Sequence, residues 1–260
     1  SRVVAQGGLG ILYKGEWRGC EVAIKKPVDP RAAMDASLKE DFEREVSILN
    51  ELRHPNIVML MGASLRPPNL CMLFEWCEGG SLYQVLRRAG SDLGRQQRLC
   101  IAACVASAIA FLHTGSPAII HRDIKAQNVL LDDPVNPVSA KLCDFGLAIK
   151  LSDAADTNAC QGTPPYMAPE LFRGEACSLE SDVYAFAVTL WELFSGDTPF
   201  AGCSQISEIK DKVLKGERPT IPLTCPREVG QLIRECWAPA SPQRPRIVQV
   251  LKQLRALKLS

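Results

Sequence analysis

Residues 119–146 read IIHRDIKAQNVLLDDPVNPVSAKLCDFG. Three short apolar runs in this stretch read as buried strands, and between them sits a dense set of chargeable side chains. Asp123 is a candidate base, Lys125 a cation two residues on, Asn128 a neutral oxygen ligand, and Asp144 a second carboxylate at the end of an apolar run. Taken singly, each reads as a turn residue or half of a surface ion pair. Taken together they meet the needs of phosphoryl transfer, which uses a carboxylate to orient the attacking hydroxyl, hard oxygen ligands for Mg²⁺, and cations facing the phosphates.

Outward toward the N-terminus, residues 5–15 (AQGGLGILYKG) followed by EVAIKK at 21–26 predict strand, glycine turn, strand, strand. Gly7 and Gly10 allow backbone N–H groups to approach an anion with no Cβ in the way; hairpins also use glycine for geometry alone. In the strand 22–25, the period of two places Ala23 and Lys25 on one face, a small side chain beside a cation. Residues 35–53 predict a helix whose apolar stripe is Leu38, Phe42, Leu49 and Leu52. Glu45 falls inside that stripe. A carboxylate on a buried face needs a partner, and Lys25 is the obvious one. Residues 57–61 and 70–74 predict further strands, and the glycine-rich 75–81 predicts a connector before a new helical pattern.

These motifs, with HRD at 121–123, DFG at 144–146, VAIK at 22–25 and GTPPYMAPE at 162–170, resemble the eukaryotic protein kinase catalytic core. The wording WCEGGSLYQVL at 76–86, DVYAF at 182–186 and Cys236-Trp237 is most similar to the tyrosine-kinase-like branch, the Raf-like and mixed-lineage enzymes. The resemblance implies an α+β, bilobal kinase fold: an antiparallel sheet plus one helix over residues 1–74 with a shortened first strand, a hinge at 75–80, and a mainly helical lobe over 81–260. It implies an ATP- and Mg²⁺-dependent transfer of the γ-phosphoryl group to Ser/Thr hydroxyls of proteins in a signalling cascade. Lys125 and Thr163 are the serine/threonine features.

Residue by residue, the resemblance puts Ala5, Gly7, Gly10, Leu12, Ala23 and Leu130 around the nucleotide, Lys25 on its α/β-phosphates and Glu45 behind Lys25. Ala5 departs from the family's first loop glycine. Phe74 takes the gatekeeper position, while the Glu75 carbonyl and Cys77 backbone meet the adenine edge. Asp123 accepts the substrate hydroxyl proton, Lys125 neutralises the γ-phosphate, and Asn128 and Asp144 hold the metal. Arg244 pairs with Glu170, and Asp182 supports the catalytic loop. Asp182 also stands where it can cap a buried helix over 183–194.

The segment 144–170 is long and aperiodic, so it reads as a functional loop, in which Pro164, Pro165 and Pro169 stop any helix or strand. It implies a switch ordered by phosphorylation, at Thr157 first and Ser152 second, with Arg122 and Lys150 receiving the charge. The other reading is that Arg122 braces backbone carbonyls and packing holds the segment. A catalytically silent scaffold and a small-molecule phosphotransferase are the competing functions. The first usually lacks one of Lys25, Asp123 and Asp144, and the second lacks the GTPPYMAPE segment.

Composition narrows the classes. With 47% apolar and 23% charged residues over 260 positions, the chain is an ordinary globular one with room for a two-lobed unit. A net charge of +1 supplies no basic footprint for nucleic acid. The eleven cysteines are scattered with no CxxC pair, and only three histidines are present to complete a zinc site, so buried thiols in a reducing, cytoplasmic setting are expected. The apolar run 99–112 falls short of the roughly 20 residues of a membrane span and predicts a core helix. Regulatory domains or an upstream kinase are expected outside this segment.

Overall fold

In the computed structural model, which describes residues 2–7, 10–28, 36–88, 93–156 and 161–259, the chain begins as a sheet and ends as a helical assembly. Strands β1 (Arg2–Gly7), β2 (Gly10–Trp17), β3 (Cys20–Lys26), β4 (Leu60–Ser64) and β5 (Cys71–Glu75) pair antiparallel in the order β1-β2-β3-β5-β4. Helix α1 (Ala36–Glu51) lies between β3 and β4 in the chain. Its buried residues Phe42, Glu45, Ile48 and Leu49, with Leu52 just past its end, form one stripe, as a 3.6-residue period requires. Asp35 lies outside the described residues.

The third strand is covered on both faces, with Val22 and Ala23 both buried. Tight strand packing explains Gly10. It has φ +158°, and a Cβ there would stand 2.6 Å from the Lys26 carbonyl oxygen. This glycine is thus required by the β2–β3 contact, beside any role toward an anion.

The strand expected over 57–61 begins instead at Leu60. Ile57 makes an isolated parallel bridge to Leu142, and Val58 donates its N–H to the Leu142 carbonyl at 2.9 Å. These residues belong to a junction with the stretch ahead of Asp144. The connector then leads through β6 (Gly80–Ser81) into α2 (Leu82–Leu86), whose first turn is closed by Ser81 and Gln84 in a reciprocal capping box. Gly79 lies flat on the next sheet, and a Cβ on it would meet the Leu131 carbonyl at 2.6 Å.

Helix α3 (Arg95–Thr114) is the central rod. It has the length and hydropathy of a bilayer span, but half of that window is buried, and it packs on later helices as a core element. After it come β7 (Ile119–Ile120), β8 (Val129–Leu131), β9 (Ala140–Leu142) and β10 (Ile149–Lys150), in two small sheets ordered β6-β8-β9 and β10-β7. The two-proline stretch 134–139 is a turn between β8 and β9, knotted by Asp132 and Asp133 carboxylates that accept backbone N–H groups of Val138, Ser139, Val135 and Asn136.

The prolines of the long segment do not exclude helix. They begin it. Residues Pro164–Tyr166 form a 3₁₀ turn and α4 (Pro169–Phe172) an α-turn, each with Pro at the start, where its missing N–H would have no intrahelical partner anyway. Helix α5 (Leu179–Ser195) starts earlier than expected, with the Ser181 hydroxyl accepting the Ser178 N–H at 2.8 Å. Asp182 therefore sits inside its first turn and is not its cap. Helices α6 (Ile206–Leu214), α7 (Arg227–Cys236) and α8 (Ile247–Leu259) complete the fold.

Candidate active site

The β7–β8 connection carries His121, Arg122, Asp123, Lys125 and Asn128, and it is bonded from below by α5. Asp182 Oδ1 and Oδ2 accept the backbone N–H groups of Arg122 and His121, each at 2.9 Å, and Oδ2 also lies 2.9 Å from His113 Nε2. Arg122 has φ +66°, a conformation that a side-chain-bearing residue holds only when its surroundings impose it. The Asp182 bonds are that imposition, and they turn the next residue, Asp123, toward the cleft.

Asp123 is buried and is bonded through both carboxylate oxygens. Its Oδ1 accepts the Thr163 hydroxyl at 2.7 Å, and its Oδ2 lies 2.7 Å from Lys125 Nζ and 2.9 Å from Asn128 Nδ2. Lys125 Nζ also donates to Thr163 Oγ1 at 2.7 Å. One carboxylate is thereby fixed in rotamer by a cation, an amide and a hydroxyl.

His121 is fully buried and works as a spacer. Its Nδ1 accepts the Asp123 N–H at 3.3 Å, so the ring proton resides on Nε2, which donates to the Cys143 carbonyl at 3.2 Å. Burial holds the imidazole below its ordinary pKa despite nearby Asp182, Asp123 and Asp144. The neutral ring packs edge-on to Phe145 with centroids 4.8 Å apart, which seats Phe145 in the core and leaves Asp144 facing the cleft.

Across the cleft, Lys25 Nζ lies 2.9 Å from both Glu45 oxygens and 3.1 Å from Asp144 Oδ1. Burial alone would push the Lys25 ammonium down, but Asp144 and Glu45 outweigh it and lift it. At Asp144 burial pulls the other way, and the Lys25 charge and hydrogen bond hold the carboxyl below its ordinary value. Burial lifts Glu45, Lys25 draws it back, and Asp144 opposes that. Asp144 has φ +62°, a second left-handed residue in the same site.

Around these groups Ala23, Phe74 and Leu130 pack on the core, Leu12 is half-buried, and Ala23 pairs with Phe74 across β3 and β5. Ala5 pairs with Leu12 across β1 and β2. Cys77 is a half-buried thiol pushed up to about 11 by burial and by Glu75.

The sequence that builds this cluster, one carboxylate with lysine, amide and hydroxyl and a lysine–glutamate pair that touches a second carboxylate, is similar to those of known proteins. Residues 1–254 match the family described as protein tyrosine and serine/threonine kinase. The chain belongs to the protein kinase family. It is 38% identical over 99% of its length to a probable serine/threonine-protein kinase of Dictyostelium discoideum, of which it covers 27%. It is also 37% identical over 98% of its length to the probable serine/threonine-protein kinase SIS8 of Arabidopsis thaliana, covering 24% of it, and 36% identical over 98% to that plant's serine/threonine-protein kinase CTR1, covering 31%. The kinase domain thus spans about a quarter to a third of these relatives.

The kinase family uses ATP, typically with Mg²⁺. The donor set suits both. Asn128 commits its Nδ2 to Asp123, leaving Oδ1 unengaged among the described residues, and Asp144 likewise has Oδ2 unengaged there. Two neutral or anionic oxygens are the ligand type a hard divalent ion takes.

Reading the sequence missed several groups. Glu192 is completely buried, accepts the Tyr166 hydroxyl at 2.5 Å and pairs with Arg87 at 2.7 Å, which ties the Pro164–Tyr166 turn to α5. A glutamate within the apolar run 183–194 was the available signal. The pairing of Arg244 with Glu170 that the resemblance implies is present, with Nη1 and Nη2 at 2.6 and 2.8 Å from the Glu170 oxygens, and Arg244 is buried where its residue type alone reads as exposed. Arg122 directs its Nε to the Leu147 carbonyl, and its Nη1 has no hydrogen-bond partner among the described residues. Thr157 lies outside the described residues. Ser152 is exposed and bonds to Asp153.

Proposed function

We propose that this kinase domain transfers the γ-phosphoryl group of ATP to serine or threonine hydroxyls of protein substrates. The observation that carries the reading is Asp123, buried, ionically paired to Lys125 and bonded to Thr163. In this role Asp123 orients the incoming hydroxyl and takes its proton, and Lys125, sharing Thr163 with it, faces the transferring group as a cation. Thr163 Oγ1 couples the 162–170 segment to the catalytic carboxylate, so the substrate-facing turn and the base move together. Lys25 orients the α/β-phosphates while Glu45 fixes its rotamer. Asn128 and Asp144 would hold Mg²⁺, which when bound neutralises phosphate charge and bridges its oxygens.

The nucleotide would lie between Leu12, Ala23 and Leu130, under the turn of Ala5, Gly7 and Gly10, with Phe74 closing its rear and the Glu75 and Cys77 backbone at the adenine edge. The boundaries follow: residues 1–74 as one lobe, 75–80 as the hinge, 81–260 as the other, with 144–170 as the activation segment. Relatives named as serine/threonine kinases support the hydroxyl specificity, and the tyrosine-kinase-like wording of the hinge supports the branch. The ten cysteines among the described residues are all free thiols, which supports a reducing intracellular setting. Phosphorylation of Thr157, or second Ser152, is the proposed switch.

The test is turnover of a generic protein substrate by the purified domain with MgATP, with phosphosites read by mass spectrometry. Asp123→Asn is expected to remove most turnover with little change in melting temperature. Activity surviving within tenfold, about 1.4 kcal/mol of barrier, overturns the assignment, and a silent wild type supports the scaffold reading.

A further inference from the structure

The side chain of Glu75, at the start of the connector, is bonded to two other segments of the chain. Its two carboxylate oxygens each lie 2.7 Å from Lys141 Nζ, and Oε1 also accepts the Met59 N–H at 2.8 Å. Its backbone N–H donates to the Met59 carbonyl at 3.1 Å. Both side chains are about three-quarters buried, at 22% and 27% exposure, so the pair is screened less than a surface bridge.

The three segments joined here are those that the chemistry needs in register. Glu75 ends β5 and begins the connector. Lys141 is the middle residue of β9, pairs in register with Leu130 on β8, and stands three positions before Asp144. Met59 belongs to the junction held on Leu142 through Val58. The Cys77 thiol feels both charges, Glu75 raising it and Lys141 lowering it, which places the pair against the connector. On the sheet side the connector has a second, looser hold: Lys14 of β2 lies 4.6 Å from the centre of the Trp76 ring and 3.2 Å from Glu78.

We infer that the Lys141–Glu75 pair is a clamp that positions the nucleotide cleft, fixing the connector backbone relative to β9, which pairs with Leu130 of β8 and leads into Asp144, and that Lys141 is accordingly a positioning residue for nucleotide binding. This rests on the kinase reading above. The clamp acts through distance: Glu75 and Cys77 present backbone groups at one wall of the cleft, Leu130 forms its floor, and Asp144 stands at its end. Without Lys141 the far end of the connector stays on β8, where the Gly79 N–H donates to the Leu131 carbonyl at 3.0 Å, but its start at Glu75 loses the bond that holds it to β9. The loss falls on the nucleotide and not on the peptide hydroxyl, whose partners Asp123, Lys125 and Thr163 make no contact with the pair.

The experiment is calorimetric binding of MgADP, with steady-state kinetics in MgATP and a protein substrate, for wild type, Lys141→Met, Lys141→Arg, Glu75→Gln and the double variant Lys141→Met/Glu75→Gln. The clamp predicts roughly tenfold weaker MgADP binding and a matching rise in KM for ATP in both single variants. It also predicts kcat and KM for the protein within about twofold, recovery in Lys141→Arg, and a double variant no worse than either single one. MgADP affinity in Lys141→Met equal to wild type overturns it. So does a fall in kcat and in both affinities together that tracks a lowered melting temperature, since that is a brace with no positional role. If wild type binds MgADP but phosphorylates nothing, the kinase reading fails while the clamp is still judged by the binding arm. If wild type binds no nucleotide, both fall.

Discussion

Replacing Lys25 with methionine should expose the electrostatic debt of Glu45 as a pH-dependent loss of stability. In the wild type Glu45 is 5% exposed and is countered by an ammonium 2.9 Å from both of its oxygens. Removing that cation leaves burial, the largest influence, and the Asp144 charge, which both raise the Glu45 carboxyl, against a smaller opposing hydrogen bond from the Phe145 backbone. The group then takes up a proton in the folded state instead of remaining an unpaired buried anion. From an ordinary value of 4.5, carrying that proton near neutral pH costs up to about 3.4 kcal/mol, and near pH 5.5 only about 1.4 kcal/mol, at roughly 1.4 kcal/mol per unit.

The sign follows from linkage. A raised folded-state pKa means that the folded variant holds more protons than the unfolded chain between the two values, so the variant is best off below about 4.5 and loses ground as pH rises. In wild type, Lys25 is raised from 10.5 and Asp144 lowered from 3.8, so their own titrations lie outside this window. Urea unfolding at the two pH values should show the Lys25→Met deficit larger by about 2 kcal/mol at the higher one. Lost packing of the lysine stem is independent of pH and cancels in that difference. Adding Glu45→Gln should shrink the difference to the part contributed by Asp144, which also loses Lys25. A deficit that is the same at both pH values, or a pH dependence undiminished in the double variant, refutes the reasoning.

Arg244→Met should destabilise the domain by about 3–5 kcal/mol, because it strands the buried Glu170 carboxylate; Arg244→Met/Glu170→Leu should recover part of that loss, and thermal melts of the three proteins check it. His121 is held below its ordinary 6.5 by burial, so the unfolded chain binds a proton that the folded one refuses; its contribution to stability is present above about pH 6.5 and is lost toward lower pH at up to about 1.4 kcal/mol per unit. His121→Gln should flatten that slope in unfolding titrations, and an unaltered slope would assign it to other groups.

What the sequence by itself determined is local: the short spacing of Asp123, Lys125 and Asn128, the strand period that puts Ala23 and Lys25 on one face, and the helical period that puts Glu45 in a buried stripe. These follow because side-chain direction repeats every two residues in a strand and every 3.6 in a helix. The same periodicity says that Glu45 and Glu192 need partners, because a buried charge demands one. For Glu45 the inward-facing Lys25 was the expected partner, and it is the one found across 20 residues. Only tertiary packing showed that Asp182 holds the His121 and Arg122 amides across about 60 residues, and chose Lys141 for Glu75 across 66 and Arg87 for Glu192 across 105. Local rules misplaced the cap of α5 and the prolines of 164–169 for the same reason: Asp182 and Pro164 obey preferences that several positions satisfy equally, and only the bonds from the neighbouring loop and helix select among them.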